Sequence, residues 1–354
     1  MIRNYKYLDT AVQLRLHEFI IAFFNRIEFE TAVFDDSFFG VDFLEIADRH
    51  PQILKQQCIA IYNHIKNWNQ VDKTNLCSLI RDSNEIQNIC EGNYAPPTLD
   101  RHSTGLNKLL RDLFLDLYNQ VLDGDGFREK YTTTLRTHFD DFSKLNSDIT
   151  LCPICGIGEL KKHTDLSRDQ YDHYLPKSLY PFSSVNFKNL VPICIDCNSP
   201  TVKGSKDVVA VSTNQRLFFL YDSTHRGITV TFLITVDNIN PENIQWQISF
   251  TNPDNKNDEI ESWKTIYNID GRYKGFVNAR IEKWYRHYWE FINDSDLAHL
   301  SVDDRKLTCF KSYEKDESLQ LNFIRKPALT GFLNGSTLSQ AAIEAKHYST
   351  PPTA

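Results

Sequence analysis

The chain has 354 residues, 41% of them hydrophobic and 24% charged, and a formal net charge of −7. That composition is ordinary for a globular protein of two or three domains with a sizeable core. It contains no run of about 18 apolar residues, and its N-terminus, MIRNYKYLDT, lacks the charged-then-apolar plan of a signal peptide. A soluble, cytoplasmic protein with no membrane contact is therefore expected.

The first 148 residues read as helical. Leu8, Val12, Leu16, Phe19, Phe23 and Ile27 recur at helical spacing, as do Ile53, Cys58, Ile61 and Ile65. A third stripe, Leu106, Leu110, Leu113, Leu117 and Val121, opens after a Ser103 or Thr104 cap and closes at Gly124. The turn-rich EGNYAPPTLD at 91–100 separates helical groups, and DGDGF at 123–127 reads as a helix-ending loop rather than a calcium loop, since the later ligands are missing. Helical periodicity then stops over 149–210, where proline, glycine and paired cysteines gather. Beyond it, RLFFLYDS at 216–223, GITVTFLITV at 227–236 and IQWQISF at 244–250 alternate as strands do. Helical spacing returns with Ile260, Trp263 and Ile266, then Phe276, Ile281, Trp284 and Tyr288, and a tail is expected over 348–354. The expected fold is α+β and mainly helical: a helical region 1–148, a compact module 149–210, and strands plus helices over 211–347 packing on that module.

Charge is unevenly spread. Residues 1–148 hold 16 Lys/Arg against 22 Asp/Glu, residues 149–206 hold 7 against 5, and residues 207–354 hold 16 against 19. Only the cysteine-rich segment is positive. An acidic body disfavours indiscriminate coating of nucleic acid, because backbone affinity grows with the number of phosphates neutralised.

Four of the eight cysteines form two C-x-x-C pairs, Cys152/Cys155 and Cys194/Cys197, separated by 38 residues. In a reducing compartment such pairs more often bind metal than form disulfides, and four thiolates from two knuckles make a closed tetrahedral site for structural Zn²⁺. His163 lies between the knuckles, but four cysteines leave it no necessary place on the ion. Between and after the pairs stand QYDHYLPKSLYP, FKNLVPICIDCN and VKGSK. The order C-P-x-C-G, D-H-x-x-P-x-S, N-L-x-P-x-C-x-x-C-N, K-G resembles the HNH nuclease family, in the version whose ββα-metal (His-Me finger) element is braced by a four-cysteine zinc. The resemblance covers about 55 of the 354 residues. The phrase DHYLPKSLYP is also similar to the HNH subunits of Septu-type and retron-linked anti-phage systems.

That resemblance implies a metal-dependent endonuclease acting on nucleic acid, with DNA as the expected substrate. His173 is the one base in the motif that titrates near neutral pH, suited to taking a proton from water. The family resemblance gives Asn189 the task of orienting the imidazole. It places a catalytic Mg²⁺ or Mn²⁺ on Asp172 and on Asn198, which stands where the family often has histidine. Lys203 and Lys206 are candidates for contact with the scissile strand, although SPTV separates them from the Cys-Asn pair. The resemblance also implies a cutting subunit of a defence complex, beside an ATPase or another subunit.

Plainer readings stand beside these. Asn189 can cap a turn, Asn198 can end a helix, and the lysines can be solvated. The chain as a whole can be a catalytically inactive, zinc-braced nucleic-acid-binding or scaffold subunit. A redox or zinc-storage role for the cysteine pairs lacks the βαβ pattern that thioredoxin-like chemistry needs.

Overall fold

The computed structural model describes residues 4–222, 227–236, 245–315 and 321–335. The expected tail from residue 348 lies outside the described residues. The fold is α+β and mainly helical, with two small antiparallel sheets. None of the helices is long and apolar enough to cross a membrane among the described residues.

Among the described residues, the α-helices before the cysteine-rich segment are α1 (Arg15–Ile27), α2 (Val41–Arg49), α3 (Gln56–Ile65), α4 (Gln70–Asp82), α5 (Ile86–Cys90), α6 (Gly105–Asp116), α7 (Asp125–Tyr131) and α8 (Leu135–Leu145). Apolar spacing explains most of them. In α1, Leu16, Ile20, Phe23, Phe24 and Ile27 are buried along one stripe, and Phe23 stacks on Phe39. Side-chain caps fix some starts: Asn69 accepts from the Asp72 amide before α4, and Thr134 from the Thr137 amide before α8. Thr104 occupies the N-cap position of α6 but makes no capping bond with its side chain. The third expected stripe runs past α6 into a π-helical turn, Leu117–Val121, closed by a 2.8 Å bond from the Leu122 amide to the Leu117 carbonyl. The DGDGF segment ends that stripe and starts α7, with Gly124 at its N-cap.

After the cysteine-rich segment, β3 (Thr229–Val236) and β4 (Gln245–Thr251) pair antiparallel, Phe232 opposite Ile248. Helices α10 (Asn257–Tyr267), α11 (Ile269–Asn278), α12 (Ile281–Ile292), α13 (Val302–Lys315) and α14 (Asn322–Gly335) follow. Helix α14 lies close on β3: a Cβ at Gly331 would sit 2.6 Å from the Phe232 carbonyl oxygen. (The short β1, β2 and α9 belong to the site below.) The expected strand at 216–223 is not one through Asp222, and Ser223 is outside the described residues. Its Leu217 amide bonds the Cys90 carbonyl, and its Leu220 carbonyl takes the Tyr5 amide, each at 2.8 Å. The aromatic alternation there reports burial of an extended connector, not a ladder.

Two apolar cores result. One is built from the N-terminal helices, the other from the cysteine knuckles, the β3–β4 hairpin and α10–α14. The boundaries at 148 and 210 do not separate them, since Ile86, Ile89, Cys90 and Phe142 belong to the second core, and Tyr171, Phe182, Phe187 and Leu190 to the first. The middle of the chain is thus the seam that joins both.

Helix α8 reaches that seam through His138, which is 4% exposed and shares a hydrogen bond between its Nδ1 and the Tyr171 hydroxyl. Burial pushes His138 down to about 4, with Asp141 opposing and Arg168 adding to the shift. An unfolded histidine takes up its proton near 6.5, so as pH falls from there towards 4 only the unfolded chain gains a proton, and stability drops. Replacing His138 by Gln should remove roughly 2 kcal/mol of the stability lost between pH 7 and pH 5. Urea unfolding at the two pH values measures it, and equal losses in variant and parent would contradict the assignment.

Candidate functional site

The first knuckle is a tight turn. The Gly156 amide bonds the Cys152 carbonyl and the Cys152 amide bonds the Gly158 carbonyl, both at 2.7 Å, with Gly156 at φ +64°. A side chain at Gly158 would place its Cβ 2.7 Å from the Cys194 sulfur, so that position admits glycine alone. The second knuckle runs into α9 (Ile195–Asn198), where the Asn198 amide bonds the Cys194 carbonyl at 3.1 Å.

All four cysteines are buried, and their sulfurs lie within 4.8 Å of one another. The closest approaches, Cys155–Cys194 at 3.7 Å and Cys152–Cys197 at 3.9 Å, are far too long for disulfides. They fit sulfurs on one tetrahedral ion with bonds of about 2.3 Å, whose sulfur–sulfur edge is about 3.8 Å. The group can hold a metal such as zinc. Outside it, Arg272 donates to the Cys197 sulfur at 3.1 Å, and amides of Ile157 and Gly158 donate to Cys155 at 3.5 and 3.4 Å. Helices α10 and α11 clamp the first knuckle: Trp263 Nε1 donates to the Ile154 carbonyl at 2.6 Å and the Tyr273 hydroxyl to the Cys155 carbonyl at 2.7 Å. Tyr5 does the same for Pro192 at 2.8 Å.

Between the knuckles, β1 (Tyr171–His173) and β2 (Leu190–Pro192) pair antiparallel, with Asp172 opposite Val191 and His173 opposite Leu190. Alternation along β2 sends Leu190 into the N-terminal core and Val191 into the other.

The imidazole of His173 is 8% exposed. Its Nε2 donates to the Ser184 carbonyl at 3.0 Å, which leaves Nδ1 as the unprotonated nitrogen. Among the described residues Nδ1 has no hydrogen-bond partner. The Tyr118 ring stands edge-to-face on the imidazole at 4.3 Å. Burial pushes His173 down to about 3, helped by the charges of Lys177 and Lys203 and opposed by the Ser184 bond.

Asn189 is fully buried and makes no hydrogen bond to this ring. Its Oδ1 accepts from the Leu175 amide at 2.7 Å, and its Nδ2 donates to the carbonyls of Leu175 (3.1 Å) and Ser183 (3.2 Å) and to Ser183 Oγ (3.1 Å). The expected orienting role is therefore corrected: Ser184 holds the imidazole, and Asn189 closes the loop that places Ser184. The Ser184 hydroxyl is itself anchored on the Phe114 carbonyl of α6. Ser184 acts through a backbone carbonyl, which side-chain chemistry does not announce.

Lys203 also departs from expectation. Gly204, at φ +50° and packed on Pro200, turns the chain so that the Lys203 ammonium is buried, 2.7 Å from Asp172 Oδ1 and 2.7 Å from the His173 carbonyl. It cannot meet a scissile strand from there. Burial raises the Asp172 pKa and Lys203 opposes that rise. The Lys206 ammonium donates to the Ile266 carbonyl at 2.9 Å, near the end of α10, so it too is engaged. Asn198 is half-buried; its Nδ2 donates to Gln170 Oε1 at 3.4 Å, leaving its Oδ1 for another partner. Direct contacts thus gather Asp172, His173 and Lys203, with Asn189 in the loop that places Ser184, Asn198 beside Gln170 and Lys206 turned to α10.

No protein-family model matches the chain, and no solved structure matches it. A 64-residue stretch is 45% identical to protein ea31 of Escherichia phage lambda, covering 18% of this chain and 18% of that protein.

The buried ion pair yields a direct test. Lys203→Met leaves the Asp172 carboxylate uncompensated and should cost about 3–5 kcal/mol, whereas Asp172→Asn with Lys203→Met should recover most of it. Denaturant unfolding of the two singles and the double measures this; a Lys203→Met effect under about 0.5 kcal/mol, the surface value, would mean that the pair does not form.

Proposed function

We propose that the chain is a metal-dependent HNH endonuclease that hydrolyses phosphodiester bonds of nucleic acid, DNA first, from a ββα-metal element braced by a four-cysteine zinc. The observation that carries this is the one-sided hydrogen bonding of His173. With Nε2–H given to Ser184, Nδ1 is neutral, fixed in direction and without a partner among the described residues, so it can accept a proton.

Asp172 and Asn198 would hold the hard divalent cation, Mg²⁺ or Mn²⁺, that the HNH resemblance implies. Lys203 takes Asp172 Oδ1, no partner among the described residues claims Oδ2, and Asn198 keeps its amide oxygen. Such an ion, when bound, polarises the phosphate and stabilises the leaving oxygen. His173 Nδ1 takes a proton from water, the hydroxide oxygen bonds to phosphorus, and the phosphorus–oxygen ester bond breaks, its oxygen taking a proton from solvent. Ser184 keeps the ring in one tautomer, and Asn189 keeps Ser184 in place. The net charge of −7 favours borrowing nucleic-acid affinity from a partner, which the resemblance makes an ATPase or another subunit of a bacterial anti-phage system.

A second reading has its own support. The Lys203 ammonium already neutralises Asp172, which favours an inactive, zinc-braced subunit that only grips nucleic acid. Plasmid nicking with Mg²⁺ or Mn²⁺ separates the two: the parent should cut, and His173→Ala should lose at least 100-fold in rate while remaining folded. Equal rates for parent and variant, or no cutting by the parent on any DNA or RNA, would sink the nuclease assignment. Purified protein should also carry one zinc per chain, and Cys197→Ser should release it and lower the melting temperature by roughly 10 °C. A metal-free protein that melts where the variant does would remove zinc from the account.

A further inference from the structure

Of the two lysines expected to meet the substrate, Lys203 is buried against Asp172 and the exposed Lys206 is turned to α10, so a nuclease site here needs another cation on its solvent side. Lys177 is the residue so placed. It lies four positions past His173, in the loop that Asn189 pins at Leu175, and Pro176 starts a turn that receives the amides of Leu179 (2.9 Å) and Tyr180 (2.8 Å). The Lys177 ammonium stands 4.1 Å from the centre of the Tyr118 ring, and that ring stands 4.3 Å from the His173 imidazole. Ammonium and imidazole both lie against the one phenol ring, so the ammonium is no more than about 8.4 Å from the imidazole centre by adding the two distances.

The charge on Lys177 is not cancelled. Its one hydrogen-bond partner among the described residues is the neutral Asn119 amide oxygen, and none of the described ion pairs includes it. The side chain is half-buried, so part of its water is already gone, and an anion that replaces the rest meets a less screened charge. The π-helical turn supplies the rigid side of this arrangement. It carries both Tyr118 and Asn119, so the ring that supports the ammonium and the amide that steers it come from adjacent residues.

We propose that Lys177, laid across the Tyr118 ring, is the cation that grips a backbone phosphate of the nucleic-acid strand beside His173. This rests on the nuclease assignment for the role of His173, but phosphate contact is separable from cutting. One oxygen of the phosphate accepts from the ammonium at about 2.8 Å, and the opposite side of the phosphate faces the imidazole. The contact positions the strand and reads no base.

The test uses the full chain carrying His173→Ala and a fluorescent 20-base-pair duplex, titrated between 50 and 200 mM salt, with and without Lys177→Met. Losing one phosphate contact should make the slope of log K against log salt shallower by about 0.9, and Lys177→Arg should restore it. With His173 intact, Lys177→Met should raise KM about tenfold and leave kcat within about threefold. Thermal melting of each variant shows that it is folded; should Lys177→Met fail to fold, Lys177→Gln carries the same comparison. An unchanged salt slope and KM in a protein that still cuts overturns the phosphate grip and leaves the nuclease assignment standing. A protein that never cuts, yet loses the same slope with Lys177→Met, overturns the nuclease assignment and leaves the grip.

Discussion

Four cysteine sulfurs sit within 4.8 Å of one another in a buried pocket, drawn from two segments 38 residues apart. As thiolates they would repel strongly in so dry a place, and as thiols they would offer little to hold two turns together. A shared cation resolves both problems, and Arg272 at 3.1 Å from Cys197 offsets part of the remaining negative charge. The bond network around the knuckles is arranged to that end. Trp263, Tyr273 and Tyr5 each spend a polar group on a knuckle or β2 carbonyl, so the sulfur cage is also where α10, α11 and the N-terminal segment dock.

Once the cage closes, everything between its two halves must form a compact loop. The β1–β2 pair has only three residues on each strand, too few to stand alone. It persists because its alternating side chains feed two different cores, and because Asn189 satisfies three backbone groups that the loop would otherwise bury unpaired. The imidazole of His173 inherits its orientation from this construction through Ser184, whose hydroxyl ties the same loop to α6. The helical N-terminal region is therefore part of the site's framework rather than a separate attachment.

What the sequence discloses follows from the range of the forces involved. Local periodicity marks the apolar face of α1 and both strands of the β3–β4 hairpin, because each depends on near neighbours. The cysteine spacing likewise discloses the sulfur cage, since C-x-x-C is a turn and a ligand pair at once. Asp172, His173 and Asn189 are legible as a motif. Their contacts are not, because these are decided by loop closure: Asn189 bonds backbone instead of the imidazole, and Gly204 folds Lys203 inward onto Asp172. The extended segment at 216–222 misleads for the same reason. Burial from two sides and strand pairing select the same aromatic and β-branched residues, and only the partner distinguishes them. Tyr118 and Lys177 give no signal until a π-helical turn, itself invisible to periodicity, brings them together beside His173.

Internalising Lys203, in the one positively charged segment, has a consequence for affinity. Residues 149–206 carry an excess of only two positive charges, and Lys203 among them is committed to Asp172 inside the protein. Nucleic-acid affinity rises steeply with each phosphate contact, so a site that offers few free cations on a body of charge −7 holds a duplex weakly on its own. On the nuclease assignment, chemistry and capture are then divided: the group of Lys177, Tyr118 and His173 aligns one phosphate, and sustained grip on the strand must come from another surface. A partner that supplies that grip would raise the local concentration of substrate at the site without altering its chemistry. An acidic protein would in this way cut where its partner has bound and leave other nucleic acid alone.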